Sequence, residues 1–232
     1  MSNVAIYEIG KVYGQVENGY TEETKISGAV TGQLLLNKWQ AKVENVDFFV
    51  AKGYVETLLT EMGHLNVSYR PVVADEYKEF HPGRSAVVLV NATVVGVVGQ
   101  VHPALQQELD LNDTYVFELS LNKLLELETS KPSYEIIAKH PGMTRDIALV
   151  VNREVLADDL VQTIKKAANK LLQTVEVFDI YEGKGVEEGK KSVAISLYYL
   201  DREKTLTDED LQPIHQKVLD ALTEQHNAVL RG

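Results

Sequence analysis

The stretch from Val177 to Tyr198 constrains the fold more than any other part of the chain. It reads Val177-Phe178-Asp179-Ile180-Tyr181-Glu182-Gly183, then a polar turn, then Gly189-Lys190-Lys191-Ser192-Val193-Ala194-Ile195-Ser196-Leu197-Tyr198. Apolar residues alternate with polar or small ones, which is the period of a strand with one buried face. Phe178, Ile180, Val193, Ile195 and Leu197 are predicted to face a core. Asp179, Tyr181, Ser192, Ala194 and Ser196 then share the opposite face. A ring, a carboxylate and a floor of small side chains suit a flat nucleobase, with the ring stacking and the carboxylate accepting from an N–H edge. The competing reading is a strand tyrosine beside a solvated aspartate.

The flanking segments give this strip a topology. Ile147–Asn152 reads as a strand. Asp158–Leu172 reads as a helix with Leu160, Val161, Ile164, Ala168, Leu171 and Leu172 on one face. After the two strands comes a helix over Thr207–His226, with Leu211, Ile214, Val218, Leu219 and Leu222 on one face. Thr207 and Asp210 have capping-box spacing, and Leu206 with Leu211 are placed as a hydrophobic staple. Ala228–Arg231 closes the series as a strand. The order βαββαβ is the ferredoxin-like split unit, in which both helices cover one sheet face and the other stays open. Ala148, Asp179, Tyr181, Ser192 and Arg231 fall on open-face parity of four different strands. Lys184, Lys190, Lys191, Arg202 and Lys204 lie in the adjoining turns, where they would meet phosphates or simply be solvated.

The first half is read as α+β with a mostly antiparallel sheet. Val4–Tyr13 and Ile26–Leu36 are strand candidates. A helix runs from Asp47, as N-cap, to Met62, with Gly63 as its stop and Val55, Leu58, Leu59 and Met62 on its apolar face. Val87–Val90 and Val94–Val101 flank Asn91-Ala92-Thr93 as a hairpin. A short helix after Pro103, a strand over Tyr115–Leu119 and a short helix over Leu121–Leu127 follow. Thr129-Ser130-Lys131-Pro132-Ser133 is polar and contains a proline, and is taken as the linker (129–133) between a domain over 1–128 and another over 134–232.

Charge and composition narrow the function. There is no cysteine, which excludes disulfides, thiolate metal sites and cysteine nucleophiles. No run is apolar enough to span a bilayer and no basic-then-apolar leader is seen, so a cytoplasmic protein without membrane contact is expected. Net charge is −11. Lys and Arg number 10 against 17 Asp and Glu before Pro132, and 13 against 17 after it. Phosphate contacts need cations, so any RNA site must be a local patch of modest strength. DNA binding is not expected.

Other motifs read as structure. His81-Pro82 and His102-Pro103 are histidines at proline turns, with too few convergent ligands for a metal. Gly96-Val97-Val98-Gly99 lies within a strand without the loop, helix and lysine of a phosphate loop, so close backbone packing is expected. No nucleophile elbow is present. Asp208-Glu209-Asp210 complements a helix dipole.

Several of these segments, taken together, resemble a known family. Pro141, Arg145-Asp146-Ile147-Ala148-Leu149-Val150-Val151, Phe178-Asp179-Ile180-Tyr181, Gly189-Lys190-Lys191-Ser192 and Thr205-Leu206-Thr207-Asp208-Glu209 are similar to the ferredoxin-fold anticodon-binding domain that closes the beta subunit of bacterial phenylalanine–tRNA ligase. Val4–Tyr13, His81-Pro82-Gly83-Arg84-Ser85-Ala86 and Gly96-Val97-Val98-Gly99-Gln100-Val101-His102-Pro103 resemble that subunit's synthetase-like domain, a non-catalytic copy of the class II fold. The likeness implies an α+β chain: a partial class II-like antiparallel domain followed by a βαββαβ domain. It implies that Ala148, Asp179, Tyr181, Ser192 and Arg231 read the guanine that opens the anticodon, with Arg145, Lys184, Lys190, Lys191, Arg202 and Lys204 as phosphate contacts. Guanine offers N1–H and N2–H to a carboxylate, and adenine lacks that pair. The implied partners are phenylalanine-specific tRNA, the alpha subunit and the remaining beta-subunit domains. No cofactor is expected in this chain; ATP and Mg would belong to the alpha subunit, which performs the chemistry. Met143-Thr144, Leu200-Asp201-Arg202 and Lys204 depart from the family pattern by losing arginines. The family's subunit is several-fold longer, so the chain is expected to be an excised C-terminal fragment. Two readings of another class remain: an assembly module that docks the alpha subunit without reading RNA, and a free-standing metabolite-binding ferredoxin-like domain.

Overall fold

The computed structural model describes residues 3–16, 19–37, 42–73, 76–131, 134 and 137–231, with the side chains of residues 35–37 and 42–43 excepted. Pro132 and Ser133, part of the linker expected above, lie outside the described residues. The chain divides into two units, residues 1–133 and 134–232. Among the described residues no helix is long and apolar enough to cross a membrane.

In the first unit, β1 (Val4–Val16) and β2 (Gly19–Thr31) form a long antiparallel hairpin. The expected strand over Ile26–Leu36 is divided. Gly32, at φ +89, ends β2, and a short hairpin of β3 (Gln33–Asn37) and β4 (Lys42–Asn45) follows. Helix α1 (Phe48–Glu61) begins as its N-cap predicts: the Asp47 carboxylate accepts from the Val50 N–H at 2.9 Å. Gly63, at φ +86, supplies the left-handed residue that stops it. Then come β5 (Val67–Pro71), which the sequence pattern did not show, β6 (Phe80–Val90), β7 (Thr93–Val101), α2 (Pro103–Glu108), β8 (Thr114–Ser120) and α3 (Leu121–Glu126). The sheet order is β1-β2-β8-β7-β6-β5 and every neighbouring pair is antiparallel. Val55 and Leu59 of α1 are fully buried against Ile26, Val88, Val98 and Leu119.

The Gly-Val-Val-Gly segment behaves as close backbone packing. A Cβ at Gly96 would lie 2.0 Å from the Glu118 carbonyl oxygen, and one at Gly99 would lie 2.5 Å from the Ser85 Cβ. The two histidines serve their own turns. The His81 Nδ1 accepts from the Gly83 N–H at 3.0 Å, and the His102 Nδ1 accepts from the Ala104 N–H at 3.2 Å to cap α2.

In the second unit, β9 (Met143–Asn152), α4 (Ala157–Ala167), β10 (Leu172–Tyr181), β11 (Lys190–Tyr199), α5 (Asp208–His226) and β12 (Val229–Leu230) give the βαββαβ order. The sheet order is β10-β11-β9-β12, all antiparallel. Leu160 and Ile164 of α4 and Leu211, Val218 and Leu222 of α5 pack against Ile147, Leu149, Val193, Ile195 and Leu197. Both helices therefore cover one face of the sheet. Helix α4 ends five residues before the expected Leu172. The Asn169 side chain accepts from the Leu171 N–H at 3.0 Å and its carbonyl from the Leu172 N–H at 3.2 Å, a turn that competes with the helix. Leu171 and Leu172 still pack on the core, from the turn and from β10. The start of α5 follows the sequence closely, with both arms of the Thr207–Asp210 capping box present.

The β6–β7 turn generates a prediction. Asn91 and Ala92 have φ of +48 and +65, the pattern of a two-residue turn that suits Asn-Gly. A left-handed alanine costs about 1–2 kcal/mol, while glycine pays more conformational entropy on folding, so Ala92→Gly should stabilise the first unit by roughly 1 kcal/mol. Urea unfolding of the variant beside the parent measures this; an unchanged or lowered midpoint contradicts the strain.

Candidate nucleic-acid interface

The face of the second sheet that carries no helix presents its side chains in rows. Asp179 lies opposite Ala194, and Ala194 opposite Ala148. The Arg231 N–H donates to the Ala148 carbonyl at 2.8 Å, which completes the row on the fourth chain segment. The backbones of Asp179 and Arg231 thus stand at the two ends, with two alanines between them. The ends are three strand spacings apart, about 14 Å. The next row carries Tyr181 opposite Ser192. The Arg231 guanidinium carbon lies 5.4 Å from the centre of the Tyr181 ring. The Tyr181 hydroxyl donates to the Lys184 carbonyl at 3.2 Å. Any Cβ at Gly183 would come within 2.9 Å of that hydroxyl, so a glycine there leaves room for the ring.

One extra residue in β10 produces this arrangement. Val177 pairs with Ile195, whereas Asp179 pairs with the very next residue, Ala194. Phe178 has no partner and forms a β-bulge. Before the bulge Val175 and Val177 face the helices; after it Asp179 and Tyr181 face away. Strict alternation would put all four on one side. The expectation that Phe178 and Ile180 belong to the core is therefore corrected: Phe178 is 56% exposed, and Ile180, at core-facing parity on the sheet edge, is 50% exposed. Val193, Ile195 and Leu197 are fully buried as expected.

The expected site residues divide into three groups. Ala148, Asp179, Tyr181 and Arg231 are brought together on the open face. Ser192 is there too but only 4% exposed, a floor beneath the ring rather than a contact surface. Three of the cations are committed within the chain. Arg145 stands at the helix-facing parity of β9, opposite Leu197, and ion-pairs with Asp208 at the start of α5. Lys190 pairs with Glu187 at 2.6 Å and Lys204 with Asp210 at 2.6 Å. Lys204, with help from the Thr207 N–H and hydroxyl, holds the Asp210 carboxyl down to about 2, and Lys190 lowers that of Glu187. Arg202 is also engaged. Lys191 sits opposite the buried Val151, at helix-facing parity. Lys184 stays exposed beside Tyr181.

Two features of the face were not singled out from sequence. Asp146 and Glu176 both flank Ser196, whose hydroxyl donates to Asp146 at 2.7 Å. They make the row on one side of Asp179, Ala194 and Ala148 acidic, so a phosphate is disfavoured there and the Tyr181 side of the face is the better approach for a backbone. Val229 lies opposite Val150 and gives the Tyr181–Ser192 row an apolar end on the far strand. Both follow from strand parity once the register is known. Among the described residues no cluster of three His, Asp or Glu side chains is placed to hold a metal.

The fold and this face define a chain with an anticodon-binding type of ferredoxin domain. A family profile described as ferredoxin-fold anticodon binding domain matches residues 138–231, and one described as phenylalanyl tRNA synthetase beta chain CLM domain matches residues 1–121. The chain is 48% identical over 232 residues to the phenylalanine–tRNA ligase beta subunit of Bacillus subtilis, 48% over 233 residues to that of Bacillus licheniformis, and 43% over 237 residues to that of Geobacillus kaustophilus. These matches cover 99–100% of this chain and 29% of each relative. The chain belongs to the phenylalanine–tRNA ligase beta-subunit family and spans about 29% of the length of these relatives.

The bulge is testable through stability. Phe178→Ala removes a half-exposed side chain and should cost less than about 1 kcal/mol, whereas Ile195→Ala in the core should cost about 2–5 kcal/mol. Chemical denaturation of both variants decides it. A Phe178 loss as large as the Ile195 loss would return Phe178 to the core.

Proposed function

We propose that this chain provides the anticodon-reading and scaffold portion of a phenylalanine–tRNA ligase, acting in the cytoplasm. The observation that carries this reading is the row Asp179–Ala194–Ala148–Arg231 with the Tyr181 ring beside it. A purine that stacks on Tyr181 lies over the alanines, which leave room for it. Guanine then turns its N1–H and N2–H toward the Asp179 carboxylate, which accepts both. Adenine offers no such pair and leaves the carboxylate desolvated without a donor, so the two bases differ in free energy as well as fit. Arg231, with its guanidinium over the Tyr181 ring, completes the site by neutralising a phosphate beside the stacked base. The sugar–phosphate backbone is directed to the Tyr181 side of the row because Asp146 and Glu176 make the neighbouring row on its other side acidic.

In this reading the alpha subunit and the rest of the beta subunit supply what remains. ATP, Mg and phenylalanine bind the alpha subunit, and the aminoacyl transfer to tRNA takes place there. This chain contributes affinity and selectivity, and no chemical step passes through its residues. A role confined to assembly with the alpha subunit would leave the Asp179 row without use.

The test is a titration of anticodon stem-loops that carry guanine or adenine at the first anticodon position. Tyr181→Ala should weaken both by about 1–3 kcal/mol, because stacking is tolerant of base identity. Asp179→Asn should cost roughly 1–3 kcal/mol on guanine and much less on adenine, so discrimination narrows. A well-folded Asp179→Asn protein with full guanine preference would overturn the assignment.

Salt gives a second check. Arg145, Lys190 and Lys204 are already paired within the chain, so Arg231 and Lys184 are the cations best placed for phosphate. At roughly −0.7 per contact with single-stranded RNA, two contacts give a log–log slope near about −1.4. A slope several times steeper would mean that the internal ion pairs open on binding, and a flat one that the patch is idle.

A further inference from the structure

We propose that Thr223, supported by Thr163, is a positioning residue of the anticodon-reading face: from the last turn of α5 it fixes the place of Arg231 over the Tyr181 ring. The inference rests on the reading of that face given above.

The Arg231 side chain has little of its own to hold it. Its guanidinium carbon lies 5.4 Å from the centre of the Tyr181 ring, and among the described residues no carboxylate pairs with it. An exposed cation–ring contact shifts an equilibrium only about twofold to fivefold. The guanidinium therefore takes its place from its backbone. That backbone is tied to the sheet by the bond from the Arg231 N–H to the Ala148 carbonyl, and it follows a strand of two residues. Val229 and Leu230 are half exposed or more, so they bury little area with which to hold the segment. The firm point lies one residue earlier, at Ala228, which is buried in the core.

Thr223 fastens that point. A threonine inside a helix commonly turns its hydroxyl back to the carbonyl four residues before it, as Thr57 of α1 does with Gly53 at 2.9 Å. Thr223 reaches forward instead. Its hydroxyl donates to the Ala228 carbonyl at 3.1 Å, across the left-handed turn at Asn227. The backbone bonds of this turn, from the Asn227 N–H to the Thr223 carbonyl and from the Ala228 N–H to the Leu222 carbonyl, are those of an ordinary helix end. The hydroxyl adds a bond that fixes the peptide plane after Ala228. It thereby sets the direction in which Val229, Leu230 and Arg231 leave.

Thr163 secures the helix end from which Thr223 works. It is buried on α4, and its hydroxyl lies 3.2 Å from the Gln225 Oε1 and 2.8 Å from the His226 Nε2. The hydroxyl's one proton goes to Gln225, which leaves the His226 Nε2–H as the donor to its oxygen. Two threonine hydroxyls thus tie the last turn of α5 to α4 and to β12.

Amide hydrogen exchange in the 232-residue chain tests the positioning without RNA. Thr223→Val keeps the shape and removes the hydroxyl. A neutral hydrogen bond moves an opening equilibrium by roughly twofold to tenfold, so exchange at the Arg231 amide should quicken by that factor. Thr163→Val should act in the same direction, and Thr223→Ser, which keeps a hydroxyl, should restore the parent rate. Ile195→Val is the control: it lowers the stability of the whole unit by a similar factor but should leave the local opening at Arg231 unchanged. An Arg231 rate indifferent to Thr223→Val overturns the proposal. So does equal quickening by Ile195→Val, which would make Thr223 a contributor to global stability alone.

Stem-loop binding tests the use of that position. Thr223→Val should weaken binding by about twofold to tenfold, because less of the chain is in the competent arrangement. The guanine-to-adenine ratio should be retained, since Asp179 is untouched. In an Arg231→Ala background the same substitution should have no further effect, and losses that simply multiply overturn the route through Arg231. A parent chain that binds neither stem-loop overturns the anticodon reading, and the exchange rates still decide whether Thr223 holds Arg231.

Discussion

A sheet covered by helices on one face obliges its strands to alternate, and the second half of β10 meets that rule only because the strand breaks it at Phe178. Val175 and Val177 pack toward α4 and the core; Asp179 and Tyr181 look the other way. The single residue that allows the change is Phe178, inserted between the partners of Ile195 and Ala194. Without that bulge, a register that buries the valines would carry Asp179 into the apolar layer, at the cost of desolvating an unpaired carboxylate. The interface thus depends on a local defect in pairing that keeps both halves of one strand correctly oriented.

Much of the molecule was legible in the residues because the signals were local. Alternation in β9 and β11, the Asp47 cap, the Thr207–Asp210 box and the Asn91-Ala92 turn are each written within a few positions and are all present. What escaped notice was set at longer range. The bulge at Phe178 leaves only one trace in the sequence, the adjacent apolar pair Val177-Phe178, and is settled only against the facing strand. The end of α4 was decided by the Asn169 turn, whose side-chain bond to the Leu171 N–H outcompetes one more helical turn. β5 is short, and its Tyr69-Arg70-Pro71 end carries no period; it exists because β6 offers it a partner. In the candidate site, the parity of Ala148, Asp179, Tyr181 and Arg231 was readable, but not the use of each cation. Nothing in the spacing of Arg145 or Lys204 revealed that helix α5 would claim both through Asp208 and Asp210.

That use of cations explains how an acidic chain can present a site for a polyanion at all. Arg145, Arg153, Lys190 and Lys204 of the second unit are tied to its own carboxylates, where exposed pairs contribute little to stability. The open face keeps one guanidinium beside one ring, and an acidic row across the sheet. On the proposed reading, selectivity comes from a base edge meeting a carboxylate and affinity from stacking; charge decides which side of the row the backbone uses.

Arg231 links that selectivity to the closure of the fold. Its backbone N–H fastens the chain to Ala148 just beyond the two-residue strand β12, and its guanidinium lies over Tyr181 from the far side of the sheet. β12 can dock only once α5 has ended, which it does on Asn227 in the left-handed conformation at φ +50, with the Asn227 N–H donating to the Thr223 carbonyl. The last element to join the βαββαβ order is therefore the one that completes the row. Fraying of so short a terminal strand removes the guanidinium from the ring while leaving the core of Ile195, Leu197, Leu211 and Leu222 intact. The site then has its own, smaller stability within a well-packed unit, as binding surfaces drawn from the less protected parts of a fold commonly do.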